Sequence, residues 1–209
     1  MSEAVAVITH AVRDDDALAR RLRDSGVRVI ELPCIAIEHL ADSDDELTRA
    51  IEQLETDDWL VVTSPSGADA IARASRPRAR VLRTAAIGVA TASRLREHDI
   101  GVAFVPSAPT GAALGRELPL ASRALLARSD RALPDLPRIL RERGFDVREV
   151  VAYRTRVGAS GDVAAVRDAL SGPATVAIYV ESPSALEGLR AAIEPELLAR
   201  GVITHVTHR

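Results

Sequence analysis

Two short stretches could do chemistry in this chain: Thr63-Ser64-Pro65-Ser66 and Glu181-Ser182-Pro183-Ser184. Each follows an apolar run, LVV in the first and AIYV in the second. In each, the serine before proline stands where a helix N-cap belongs, and proline takes the first helical position, where its missing N–H costs nothing. Such a turn gathers backbone N–H groups, one or two hydroxyls and the positive end of a helix dipole, which suits a carboxylate or a phosphate. Plain capping would use the same residues. Two related turns at the carboxyl ends of strands, where open α/β sheets place ligands, favour binding. Arg128 and Arg131 flank a strand end in ARSDRA and are of the type that meets an anion.

Much other chemistry is excluded by what is missing. The 27 basic residues are all arginine, so a lysine Schiff base, a pyridoxal phosphate anchor and a phosphate-loop lysine are ruled out. Cys34 is the single cysteine, which forbids an internal disulfide and any multi-cysteine metal site, and it reads as a small buried hydrophobe. His10, His39, His98, His205 and His208 show no metal-ligand spacing, and Asp14, Asp15 and Asp16 read as helix-start acids. No G-x-G-x-x-G or G-x-S-x-G is present, and Gly158 to Gly161 reads as a linker bend. The net charge of -3 speaks against a broad nucleic-acid face, and five aromatic residues are too few for a base-stacking platform. The opening MSEAVAVITH lacks a basic flank and turns polar at His10, so we expect no signal peptide or membrane span, and a cytoplasmic protein.

The elements that must position these residues follow from two alternating periods. Short β-branched runs (AVAVIT, VRVIEL, WLVVTS, VAFVP, ALLARS, VREVVAYRT, TVAIYVES) alternate with stretches of helical spacing, which is the α/β pattern. A helix from about Asp14 to Ser25 should stop at Gly26, and one from Pro134 to Arg143 at Gly144. Ser43 and Glu46 read as a capping box for a helix carrying Leu47, Ile51 and Leu54.

The chain also repeats itself. RRLRDSGVRVIELP around Gly26 resembles PRILRERGFDVREVV around Gly144, and LVVTSPSGADAIARA resembles AIYVESPSALEGLRAA. Both pairs lie 118 positions apart, as Gly26 to Gly144 and Ser64 to Ser182, so we read two copies of one unit. Thr91 then falls near Thr207, and the second copy is expected to stop short of the first.

In their order, VIT, GVRVIELPCIAIE, DWLVVTSPSGADAI, AAIGVATASRL, PSAPTGAAL, LLARSDRALPDLPRILRERGFDVREVVAYRT and SPSAL resemble the uroporphyrinogen-III synthase family over nearly the whole chain. The resemblance implies two doubly wound parallel-sheet α/β domains joined by a two-stranded linker, the second repeat being truncated at the C-terminus. By that pattern residues 1–33 and 158–209 form one domain and 39–150 the other, with 34–38 and 151–157 as linker strands. It implies closure of a linear tetrapyrrole, hydroxymethylbilane, between the domains, in tetrapyrrole and heme biosynthesis. It implies that no cofactor and no metal take part, and we expect a monomer with no nucleic-acid or membrane partner.

Residue by residue, Tyr153 in AYRT matches the family tyrosine nearest the chemistry; a linker tyrosine packed between domains is the plainer alternative. Thr9, Thr63, Ser64, Ser66, Thr91, Thr110, Arg128, Ser182 and Ser184 are the implied substrate contacts. The chain differs from the family in Thr9-His10-Ala11, where Thr-Arg-Pro is common, in Glu181 where threonine is usual, and in Ser129 where glycine follows the arginine. A noncatalytic tetrapyrrole- or anion-binding relative is the alternative these differences raise, and a sugar- or nucleotide-binding module is a weaker one.

Overall fold

The computed structural model describes residues 3–11, 16–39 and 41–205, with backbone alone for 41–43 and 205. Asp14, Asp15, Thr207 and His208, and the side chains of Ser43 and His205, lie outside the described residues. The chain runs β1 (Ala4–Ile8), α1 (Ala17–Asp24), β2 (Arg28–Glu31), β3 (Ile35–Glu38), α2 (Ala41–Glu52), β4 (Trp59–Val62), α3 (Pro65–Ala79), β5 (Arg83–Ala86) and α4 (Val89–Glu97). It continues through α5 (Gly111–Glu117), β6 (Arg123–Ser129), α6 (Asp135–Glu142), β7 (Asp146–Val157), α7 (Val163–Ser171), β8 (Thr175–Val180), α8 (Pro183–Ala192), α9 (Pro195–Leu198) and β9 (Val202–His205).

Among the described residues there are two compact units. One holds the chain up to Ala36 and again from Thr155, the other holds Ile37–Arg154, so the chain passes between them within β3 and within β7. The first unit has the parallel sheet β2-β1-β8-β9. Its main core joins Val5, Val7, Val176 and Ile178 to Val166 and Leu170 of α7 and Leu189 of α8.

The second unit has the order β3-β7-β6-β4-β5, with β7, β6, β4 and β5 parallel. Its inner strands β4 and β6 are apolar on both sides, over WLVV and ALLA, because both faces are covered. Leu60, Val62, Leu125 and Ala127 pack with Leu47, Ile51, Ile71 and Leu95 from α2, α3 and α4. Trp59, Val61, Ala124 and Leu126 face Leu114, Leu136 and Leu140 from α5 and α6.

Local signals hold where geometry is local. Gly26 (φ +76°) and Gly144 (φ +91°) both turn the chain left-handed after a helix, the conformation that glycine adopts without a Cβ penalty. Asp16 caps α1 by accepting the Ala19 N–H at 2.8 Å. Cys34 is fully buried, and burial pushes its thiol up to about 11.

Two expectations fail. The helix expected to open at Ser43 already begins at Ala41, so Ser43 lies within its first turn and no Ser43–Glu46 box marks its start; the helix also ends at Glu52, ahead of Leu54. The VAFVP stretch forms no strand. Only Phe104 pairs, as one parallel bridge to Ala85, while Ala86 N–H donates to Phe104 O and Ala103 N–H donates to Thr84 O. Gly101 and Pro106 bracket this stretch, and its single neighbour β5 is only four residues long, so a ladder has little to extend along.

Candidate functional site

In the second unit, β5 lies on one side of β4 and β6 on the other. The crevice at the carboxyl ends of β4 and β6 is therefore where an open α/β sheet receives ligands. Ser64 stands there. Its extended backbone (φ −164°, ψ 158°) lets Pro65 open α3, and its Oγ accepts the Gly67 N–H at 3.0 Å. Ile87 N–H donates to Val62 O, bringing the end of β5 alongside. A Cβ on Gly88, the N-cap of α4, would lie 3.0 Å from the Cβ of Pro109, so the starts of α4 and α5 sit side by side.

Tyr153 arrives from β7 through an irregularity. The β6–β7 register steps from Arg128 opposite Val151 to Ser129 opposite Tyr153, leaving Ala152 as an extra residue. One extra residue reverses which side the following side chain takes, and bulges of this kind re-aim side chains beside functional sites. The result is a contact between residues 89 apart in sequence: Tyr153 Oη lies 2.7 Å from Ser64 Oγ. The residue is 6% exposed. Burial raises the Tyr153 phenol above its ordinary value, the Asp130 carboxylate adds to the rise, and hydrogen bonds from Ser64 and Ser129 only partly oppose it. At neutral pH this tyrosine is a proton donor rather than a base.

The other expected residues divide by what their side chains do. Thr63 and Ser66 flank Ser64, half-buried. Thr91 is buried in the first turn of α4, and Thr110 caps α5 by accepting the Ala113 N–H at 3.1 Å. Arg128, read as an anion partner, is instead buried: its guanidinium donates to the Glu149 carboxylate and to Leu133 O, while its Nε has no partner. It ties β6 to β7 and to the loop before α6.

In the first unit the equivalent crevice lies between β1 and β8. Ser182 caps α8 (φ −151°, ψ 157°), accepting the Ala185 N–H at 3.1 Å, and Ser184 follows half-buried within the first turn. Ser64 and Ser182, 118 positions apart, thus share one capping geometry. Thr9 is fully buried and its hydroxyl donates to Tyr179 O at 2.9 Å, which commits it to holding β1 against β8. His10 lies between two acids, with Nδ1 3.1 Å from Glu181 Oε1 and Nε2 2.6 Å from Asp16 Oδ2. Burial alone would raise the Asp16 carboxyl, but the Ala19 N–H and His10 outweigh it and hold the carboxyl low. The charge that Glu181 brings to this turn therefore faces an imidazole.

The family model for uroporphyrinogen-III synthase HemD matches residues 16–205. The chain belongs to the uroporphyrinogen-III synthase family. The chloroplastic uroporphyrinogen-III synthase of rice is 29% identical over 194 residues, covering 86% of this chain; the chain spans 62% of that relative's length. A mutant uroporphyrinogen III synthase from Thermus thermophilus superposes with a TM-score of 0.66 at 20% identity, over 98% of this chain and 85% of that one. The uroporphyrinogen-III synthetase of Helicobacter pylori gives 0.62 at 17% identity, over 99% and 84%. These structures establish the mixed α/β fold with parallel sheets.

Sequence reasoning passed over Ser129 and Asp130 as participants. Their one signal was the serine that follows Arg128 in ARSDRA. Among the described residues, no helix is long and apolar enough to cross a membrane, and no group of three or more His, Cys, Asp or Glu side chains is placed to hold a metal.

Proposed function

We propose that this protein is a uroporphyrinogen-III synthase, a cyclising hydro-lyase of tetrapyrrole and heme biosynthesis that converts hydroxymethylbilane to uroporphyrinogen III with ring D inverted. The observation that carries the reading is the Tyr153–Ser64 pair at the carboxyl edge of β4 and β6, in a chain of this family. The substrate supplies most of the chemistry. Its terminal hydroxyl leaves, an azafulvene cation forms, the substituted carbon of ring D attacks to give a spiro intermediate, and rearrangement closes the ring.

What the protein must add is a proton for the departing hydroxyl and control over the folded pose. Tyr153, neutral and buried, fits the first task as a general acid. Ser64 holds the phenol oxygen from the rim of α3, and the N-termini of α3 and α4 offer donors to substrate carboxylates. Thr63, Ser66, Thr91 and Thr110 line that edge in this reading, and Ser182 and Ser184 serve the first unit. Thr9 and Arg128 support the walls around it.

The proposal carries a domain plan: residues 1–33 with 158–209, and 39–150, as two doubly wound domains, with linker strands 34–38 and 151–157. It places a monomer in the cytoplasm, acting on a small tetrapyrrole without cofactor, nucleic acid or membrane. Incubation with freshly generated hydroxymethylbilane, followed by oxidation and separation of isomers, should yield the type III product. Type I product at the spontaneous rate would refute the assignment.

Because orientation is spread over many weak contacts, Ser64→Ala and Thr91→Ala should each lower turnover by about tenfold or less, the worth of one ordinary contact. Steady-state kinetics on each folded variant checks this. Complete loss of activity in either would point to a nucleophilic mechanism instead.

A further inference from the structure

The two hydroxyls beside Tyr153 lead in different directions. Ser64 Oγ accepts the Gly67 N–H, so its hydrogen bonds run back into the α3 cap. Ser129 sits opposite Tyr153 across the β6–β7 irregularity and hydrogen-bonds the phenol. Its Oγ donates to Asp130 Oδ1 at 3.0 Å and accepts the Arg131 N–H at 3.2 Å. Its single hydroxyl thus stands between the phenol and the Asp130 carboxylate, able to accept from the neutral phenol and to donate to the ionised one. A chain of hydrogen-bonding groups therefore runs from the Tyr153 phenol through the Ser129 hydroxyl to the Asp130 carboxylate, and Asp130 is exposed to solvent. Asp130 is held in place by its own N–H, which donates to Tyr153 O.

We propose that Ser129 and Asp130 are positioning residues that form the proton-return path of Tyr153, linking the buried phenol to solvent. This rests on the reading of Tyr153 as the general acid. When the C–O bond breaks, its electron pair stays on oxygen and the Tyr153 proton completes a water molecule. The phenolate takes the Ser129 proton, and Ser129 takes one relayed from water at Asp130. The proton released when the new macrocycle regains its pyrrole aromaticity balances the one consumed.

Tyr153 and Tyr179 are the only tyrosines, so Tyr179→Phe leaves one phenol to follow. With a fluorinated tyrosine incorporated, which ionises at lower pH, fluorine NMR can titrate position 153 in the folded protein. In that background Ser129→Ala should raise the midpoint, because a hydrogen bond to the ionised form is lost. Asp130→Asn should lower it, because a neighbouring negative charge is lost. A midpoint that stays at the parent value in either variant breaks the path at that residue and overturns the proposal.

In cyclisation, Ser129→Ala and Asp130→Asn should each lower kcat about fivefold with KM retained, the worth of about one hydrogen bond, and Ser129→Thr should restore it. If Tyr153→Phe collapses turnover while both of these variants keep the parental kcat, the return path fails and the acid assignment stands. If Tyr153→Phe is fully active, the acid assignment itself fails.

Discussion

Replacing Tyr153 with phenylalanine is expected to lower kcat for cyclisation by about 100-fold or more, with KM changed only a few-fold, the pattern of a lost general acid. The substitution keeps the ring in its place beside Ala152 and Val150 in the core and removes one oxygen. Ser64 keeps its bond to the Gly67 N–H, so the α3 cap survives. The proton donor is then gone while the rim of helix N-termini is intact, which separates chemistry from binding. Single-turnover rates with saturating hydroxymethylbilane measure the step directly. A kcat within threefold of the parent would reduce Tyr153 to a packing residue and return the leaving-group proton to solvent.

The second large effect is on stability. Gly188→Ala should cost about 3 kcal/mol, at the upper end for overpacking in a core, because nothing nearby can yield. A Cβ at Gly188 would lie 2.1 Å from Cys34 O, 3.0 Å from Cys34 C and 3.1 Å from Cys34 Cβ. The first two are backbone atoms, and Cys34 is anchored by its N–H to Thr9 O and by its carbonyl to the Gly158 N–H. Helix α8 would have to move off the strand end, carrying the Ser182 cap with it. Urea unfolding read by circular dichroism tests this, with Gly101→Ala as the matched control, since nothing lies within 4 Å of a Cβ there. Equal stability of the two variants would show that α8 slides without penalty.

WLVV in β4 and ALLA within β6 are apolar at every position because helices cover both faces, so a strand was evident but its facing was not. In α2 the start was misplaced because Ser43 and Glu46 imitate a cap from inside the first turn. Phe104 shows the opposite failure, in which β-forming residues lacked a partner long enough to pair with.

What the sequence determined by itself was local and periodic. The alternation of strands and helices, the left-handed glycines at 26 and 144 and the Ser-Pro caps at 64 and 182 depend on residues within a few positions of one another, and the exclusion of lysine chemistry depends on composition alone. The ordered motifs likewise carried the family. The tertiary structure decided which side chains meet. The β6–β7 irregularity brought Tyr153 to Ser64 and Ser129, and Arg128 turned inward to Glu149. His10 came to face Glu181, so two departures from the family pattern became one contact. The physical reason is register: partners on neighbouring parallel strands are far apart in sequence, and a shift of one residue exchanges the two faces of a strand, so pairing follows from how the whole sheet packs and not from any local stretch.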